Sequence, residues 1–419
     1  MKWVVVVVAI ALSVAVGVGG RKSAALRRFL STLLGYLPFT SVAINPISFE
    51  TYRGDARGLE VTAVDLVALA LAVSTTDRWK RPWPLLTAAY LGAAMLSAFS
   101  APMPMFAMFG VWKIVRVHRV LATVAQAGQQ RDNLAPHVCR GLAVGLIYCA
   151  ATSLVQRYAY GMMQCPGPFT HQNSLAMACN MAFPFCFALV LAGQGGWLAK
   201  AAVAASALSI VLTLSRGGMM LFVVAAIAVF GGSMAKRLTG RKLVVLLLGL
   251  FAASAVVIKS FDTIVERFTS APDASAEARH LFEKAASAML RDHGGGIGIN
   301  QFSLVLDRSY ADVFGLPDVD RNGIVHNVYW LTAAEMGYLG LVCFVALFTA
   351  PMIRALRTAI GEKGLRSDLA LGFGVGIAVT LAQGKLEWSL RTTQLSYLLW
   401  IVAGLAFSLG TARRPKLVD

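Results

Sequence analysis

Apolar runs long enough to form membrane-spanning helices alternate with short polar links along most of this chain. They predict spans at 3–20, 29–47, 61–76, 84–100, 102–118, 141–157, 173–193, 197–214, 217–234, 243–260, 328–351, 369–384 and 394–411. The pattern is that of an all-α, polytopic transmembrane bundle of twelve or thirteen spans, with no stretch left over for a soluble catalytic domain. The first run has the length of a signal peptide, but it lacks a small-x-small cleavage site and runs into RKSAALRR, so it reads as an anchor. One long interruption, 261–327, separates a ten-span part, 1–260, from a C-terminal part, 328–419. Connections of that length are functional or disordered. This one carries Phe261, Phe268, Phe282, Phe302, Tyr310 and Phe314. Its stretch EARHLFEKAASAMLRDH sets Leu281, Ala285, Ala288 and Met289 on one helical face. The pattern predicts a folded loop with a helix lying on the membrane surface.

Composition agrees with the pattern: 57% of residues are hydrophobic and 14% charged. The net charge of +17 first suggests an anionic partner, yet its distribution is topological. Arginine and lysine crowd the links 21–28, 77–84, 113–140, 236–242 and 354–368 and the C-terminal tail, which the positive-inside rule assigns to the cytoplasm. Nucleic acid is excluded as a partner, because no basic soluble face is present. The segment 261–327 then lies outside, with ten of the 21 acidic residues and only six of the 38 basic ones. Its arginines are not explained by topology.

The six cysteines show no CxxC or Cys/His ligand spacing, and there is no Walker A loop, no GxGxxG after a strand and no HExxH. A structural metal, an ATP-driven pump and a zinc protease are therefore unsupported. What stands out is a set of polar residues at the outer ends of spans. GPFTHQNSLAM carries His171 and Asn173, and LSRGGMM carries Arg216. The long link carries Arg267, Arg279, His280, Arg291 and His293, then GGGIGINQF, then His326 and Asn327. GKLEWSLRTTQ carries Lys385, Glu387 and Arg391. Each has a plainer reading: Asn173 and Asn327 as helix caps, Arg216 as a snorkelling side chain, His171 as structural, GGGIG as a flexible turn, and Glu335 as a carboxylate paired inside the bundle. Together these readings leave the outer arginines unaccounted for. Guanidinium groups grip phosphate oxygens two at a time and stay charged when partly desolvated. They can neutralise a diphosphate leaving group, while a histidine takes a hydroxyl proton near neutral pH. That is the chemistry of glycan transfer from a lipid diphosphate.

The ordered set LSRGG, RF, an arginine-bearing stretch, GGGIGINQF and HNVYWLTAAEMGYLG, within residues 167–405, resembles the O-antigen ligase and polymerase superfamily of membrane glycosyltransferases. The resemblance implies a GT-C-like bundle in the bacterial inner membrane, its C-terminus cytoplasmic and its site periplasmic. It implies His326 as the catalytic base, Arg216 and Arg279 as diphosphate ligands, and Arg267, Arg291 and Asn327 as further substrate contacts, to which the outer polar set adds His171, Lys385 and Arg391. It calls for no cofactor and no metal. The donor would be an undecaprenyl-diphosphate-linked glycan, the acceptor a glycan or lipid A-core sugar, and other polysaccharide assembly proteins would be partners. The proline usual before the glycine-rich turn is absent, since RDHGGGIG stands there. Residues 45–66, NPISFETYRGDARGLEVTAVDL, look similar to exopolysaccharide polymerisation proteins and tilt the expectation toward a polymerase over a ligase. A lipid-linked sugar flippase is the alternative of another class; it calls for a charged path through the membrane or pseudo-repeats, neither of which the sequence displays.

Overall fold

A computed structural model describes residues 2–251, 254 and 273–411. The chain is an all-α bundle. Its helices are α1 (Lys2–Lys22), α2 (Ala24–Tyr36), α3 (Ala63–Ser74), α4 (Pro84–Ala98), α5 (Pro104–Gln129), α6 (Ala135–Tyr158), α7 (Gln172–Ala192), α8 (Gly196–Thr213), α9 (Arg216–Lys236), α10 (Asp273–Asp292), α11 (Val328–Gly361), α12 (Gly364–Gln383) and α13 (Thr393–Thr411). A two-stranded hairpin, Ala43–Ile44 with Val61–Thr62, closes the loop between α2 and α3. Residues 240–251 are also helical. Eight described helices, α1, α6 to α9 and α11 to α13, are long and apolar enough to cross a membrane, fewer than the twelve or thirteen spans expected. The difference has local causes: the expected span 29–47 is not one helix, since α2 ends at Tyr36 and the chain turns into the hairpin strand Ala43–Ile44, α3 and α4 are apolar but short, α5 carries Lys113, Arg116 and Arg119, and the expected span 243–260 lies mostly outside the described residues.

The enclosed helices α7 and α13 form the middle of the bundle, whereas α1 and α9 turn most of their surface outward. Helix α12 packs on α7 through Gly372 and Gly376, where a Cβ on Gly376 would stand 2.4 Å from the Met181 carbonyl oxygen. Small residues at such crossings allow the backbones to touch. On α10 the predicted apolar face exists: Ala285, Ala288 and Met289 are buried and Leu281 partly buried, in one cluster with Phe282 and with Leu331 and Ala334 of α11. That face is spent on protein packing, so it does not rest on a membrane surface as expected.

The glycine-rich segment is not a flexible turn: Gly294 and Gly295 are exposed, and from Gly296 to Asn300 it is buried. Helix α11 is broken at Gly337, with φ +65° and ψ −170°, and residues 294–298 dock into the break. Ile297 N–H donates to Ala334 O at 3.0 Å, Gly298 N–H to Glu335 O at 3.0 Å, and Tyr338 N–H to Gly294 O at 3.2 Å. The strands of backbone are in contact: a Cβ on Gly296 would lie 2.4 Å from Glu335 O, and one on Gly337 would lie 2.4 Å from Gly294 O. Only glycine adopts the Gly337 conformation readily. Gly337→Ala therefore has to strain or expel the splice and should lower stability by at least about 2 kcal/mol, read as a lower unfolding midpoint in detergent. Beyond the splice, Asn300 donates to the Ala56 and Phe106 carbonyls at 2.8 Å each, and Gln301 pairs with both backbone groups of Met103.

The same end of the bundle holds a buried set of ion pairs. Arg391 donates to Asp55 Oδ2 at 2.7 Å and to Glu335 Oε2 at 2.9 Å, while Lys113 Nζ stands 2.9 Å from Asp55 Oδ2. Arg116 pairs with Glu60 at 2.7 Å and Asp65 at 2.9 Å. Lys113 and Arg116 were expected in a cytoplasmic link; both are buried inside α5, because the carboxylates of the α2–α3 loop and of α3 reach them. Arg391 was expected at substrate; it is a buried tie between that loop and α11. Glu335 is paired in the bundle and also accepts from Phe302 N–H at 3.1 Å. These charges enter the bundle matched by carboxylates, and removing one partner of such a pair leaves a costly unpaired charge.

Candidate active site

The start of α7, the α8–α9 junction, α10, the start of α11 and the loop after α12 meet around a cavity of about 650 Å³. Its walls include His171, Asn173, Ser215, Arg216, Arg279, Phe282, Asp320, His326, Gln383 and Glu387. Four of the sequence segments singled out for their polar residues thus meet at one place.

Arg216 is delivered by a strained turn. Leu214 stands in the left-handed region at φ +50°, a conformation that costs a branched residue about 1–2 kcal/mol. Ser215 then caps α9, its Oγ accepting from Gly218 N–H at 3.3 Å. The Arg216 side chain faces the cavity, and among the described residues it has no hydrogen bond or ion pair. Arg279, on α10, is nearly half exposed and its Nη2 lies 3.4 Å from Glu387 Oε1.

Glu387 is the hub. It is buried, 4% exposed, and receives three groups: Arg279, the Asn173 side-chain amide, and His326 Nδ1 at 3.3 Å from Oε2. A carboxylate on Nδ1 holds the proton there and leaves Nε2 of His326 as the free base. Asn173 is therefore not the cap of α7. That position belongs to His171, whose Nδ1 accepts from Asn173 N–H at 3.2 Å. Burial pushes the His171 imidazole below its ordinary pKa; Glu387 opposes this, and His326 and Arg279 add to it. His171 is thus neutral near pH 7, in the form the cap requires.

A second layer holds these groups. Asn180 donates to Gly218 O at 3.1 Å and to Gln383 Oε1 at 3.0 Å, tying α7 to the start of α9 and the end of α12. Val328 N–H donates to Gly384 O at 2.9 Å, joining the start of α11 to the loop that carries Glu387. Asn327 caps α11 through Tyr329 and Trp330 N–H, as its plainer reading held, and its amide also donates to Glu283 of α10 at 3.0 Å.

Other expected contacts are not brought together here. Arg291, His280, His293 and Lys385 are exposed and do not line the cavity. Arg291 stands twelve residues beyond Arg279 on α10, about 18 Å along the helix. Arg267 lies outside the described residues. Glu387 stands out in the sequence as a polar residue of GKLEWSLRTTQ without a role of its own, and Asp320 does not stand out there. The signal for Glu387 was its place between Leu386 and Trp388, where a solvated carboxylate is out of character.

Residues 201–345 match the family model described as O-antigen ligase. No curated protein matches the chain. The matched stretch contains Arg216, Arg279, His326 and the glycine-rich splice, in the order and on the elements described above. Over residues 201–345, about a third of its length, the chain is thus similar to the O-antigen ligase family.

Proposed function

We propose that this glycosyltransferase moves an undecaprenyl-diphosphate-linked glycan onto an acceptor sugar hydroxyl, in the cavity between Arg216, Arg279 and His326, at the periplasmic face of a bacterial inner membrane. The observation that carries this reading is the pairing of a histidine whose Nδ1 is held by a buried carboxylate with an arginine that has no partner among the described residues, in one cavity. His326 Nε2 takes the acceptor hydroxyl proton, and Glu387 stabilises the imidazolium through Nδ1. The acceptor oxygen forms its bond to the anomeric carbon as the bond from that carbon to the diphosphate oxygen breaks. Arg216 and Arg279 neutralise the departing diphosphate, with Arg279 exchanging Glu387 for phosphate oxygens. The protein supplies the positive charge itself, so the reaction needs no divalent metal.

Polymerase is favoured over ligase by residues 45–66. Surface polysaccharide from a deletion strain separates the two: single repeats on a lipid core indicate a lost polymerase, and polymer held on undecaprenyl diphosphate indicates a lost ligase. A flippase is disfavoured because the buried cations Lys113, Arg116 and Arg391 are each held by carboxylates. Sidedness is tested by cysteine labelling at two exposed positions, Val319 and Ile360. Val319→Cys should react with an impermeant maleimide from the periplasm and Ile360→Cys only from the cytoplasm; the reverse would put the cavity on the wrong side.

A further inference from the structure

A second cavity, of about 560 Å³, opens at the far end of the bundle, where α11 ends beside the start of α4 and the end of α13. Helix α12 runs unbroken from Gly364, just past Glu362 in the wall of this cavity, to Gln383 in the wall of the first, about 29 Å and close to the hydrocarbon thickness of a bilayer, so the two cavities lie at opposite ends of the bundle. Its walls include Trp83, Arg354, Arg357, Thr358, Glu362 and Gly410.

The arginines here are arranged in a way that topology does not explain. A cation placed only to mark the basic side of a membrane extends into water. Arg354 instead folds back on the bundle, its guanidinium 4.5 Å from the Phe407 ring centroid. Trp83 packs edge-on against the same ring at 5.0 Å. Room for the guanidinium exists because residue 410 is glycine: a Cβ there would stand 2.7 Å from Arg354 Nε. That Nε is buried and has no hydrogen-bond partner among the described residues. Arg357, one turn on, has no hydrogen bond or ion pair among the described residues. The one wall carboxylate, Glu362, stands 3.9 Å from Arg366, so its charge is already opposed. The cavity is thus a net positive recess with two arginines and an indole in its wall, at the end of the bundle.

We propose that this recess is a binding site for a phosphate group, separate from the Arg216–Arg279 cavity, with Arg354 and Arg357 as its ligands. Guanidinium groups match phosphate oxygens, and basic pockets between membrane helices bind anionic headgroups in this way. The phosphate can belong to an anionic phospholipid or be free in solution. This assignment does not depend on the chemistry of the other cavity.

The test uses the purified, delipidated full chain and native mass spectrometry, with phosphatidylglycerol, phosphatidylcholine and inorganic phosphate as probes. Wild type should retain phosphatidylglycerol over phosphatidylcholine, or else bind inorganic phosphate saturably. Arg357→Gln, at an exposed position that carries no packing, should weaken that binding about fivefold, and Arg354→Gln should add a similar factor. Arg237→Gln, a cation at the same end but outside the recess, should leave it unchanged. Phosphatidylglycerol that persists in excess phosphate identifies a lipid headgroup, whereas displacement by phosphate identifies the free anion. Neither probe binding, or Arg237→Gln losing as much as Arg357→Gln, overturns the assignment. So does binding that is undiminished in Arg357→Gln, a variant whose fold is checked by its unfolding midpoint.

Discussion

His326→Ala is expected to lower glycan transfer by roughly 100-fold or more while the lipid-linked donor still binds. Among the described residues the imidazole is held by one side-chain hydrogen bond, Nδ1 to Glu387, and it does not cap α11, which Asn327 does. Its loss therefore removes a base without unfolding the helix start. The donor's diphosphate is assigned to Arg216 and Arg279, so its affinity should change little. Glu387 gives a check on the same idea. Glu387→Gln keeps the shape and one acceptor oxygen but loses the charge that stabilises an imidazolium, so transfer should fall and the pH profile of the remaining activity should shift. Unchanged turnover in His326→Ala would move the base to Glu387, the reserve candidate that lines the cavity.

Arg216→Ala is expected to cost about 100- to 1000-fold in turnover, the scale for removing one preorganised charge from a developing anion. The structure makes this variant unusually clean. Arg216 has no partner among the described residues, and the cap of α9 is made by Ser215, so the turn survives the truncation. Arg216→Lys should recover little, because an ammonium keeps the charge but not the planar two-point grip. A snorkelling arginine would accept lysine at full activity. Arg279→Ala should behave differently: it also releases Glu387 from an ion pair, so its loss mixes phosphate binding with the alignment of His326.

Helix class, the apolar face of α10 and the residues Arg216, Arg279 and His326 were legible in the sequence, because periodicity and short motifs are local signals. What was not legible depends on partners far apart in the chain. Lys113 and Arg116 counted as link cations, since nothing near them in sequence reveals that Asp55, Glu60 and Asp65 fold back onto α5. Arg391 looked like a substrate ligand for the same reason, its carboxylates lying at positions 55 and 335. The glycines of GGGIGINQF announced a special backbone, but the broken helix that receives it is announced only by Gly337, which reads equally well as a packing residue. The role of Glu387 needed the pairing with His326 across 61 positions.

Transfer by the purified chain in EDTA, from an undecaprenyl-diphosphate-linked glycan to an acceptor glycan, measures the central claim in one reaction. The account predicts that wild type lengthens the acceptor and releases undecaprenyl diphosphate in equal amounts. It also predicts that Arg216→Ala and His326→Ala, at matched expression and unfolding midpoint, fall to near background. An activity that EDTA abolishes and magnesium or manganese restores, or one that both variants retain, would contradict it.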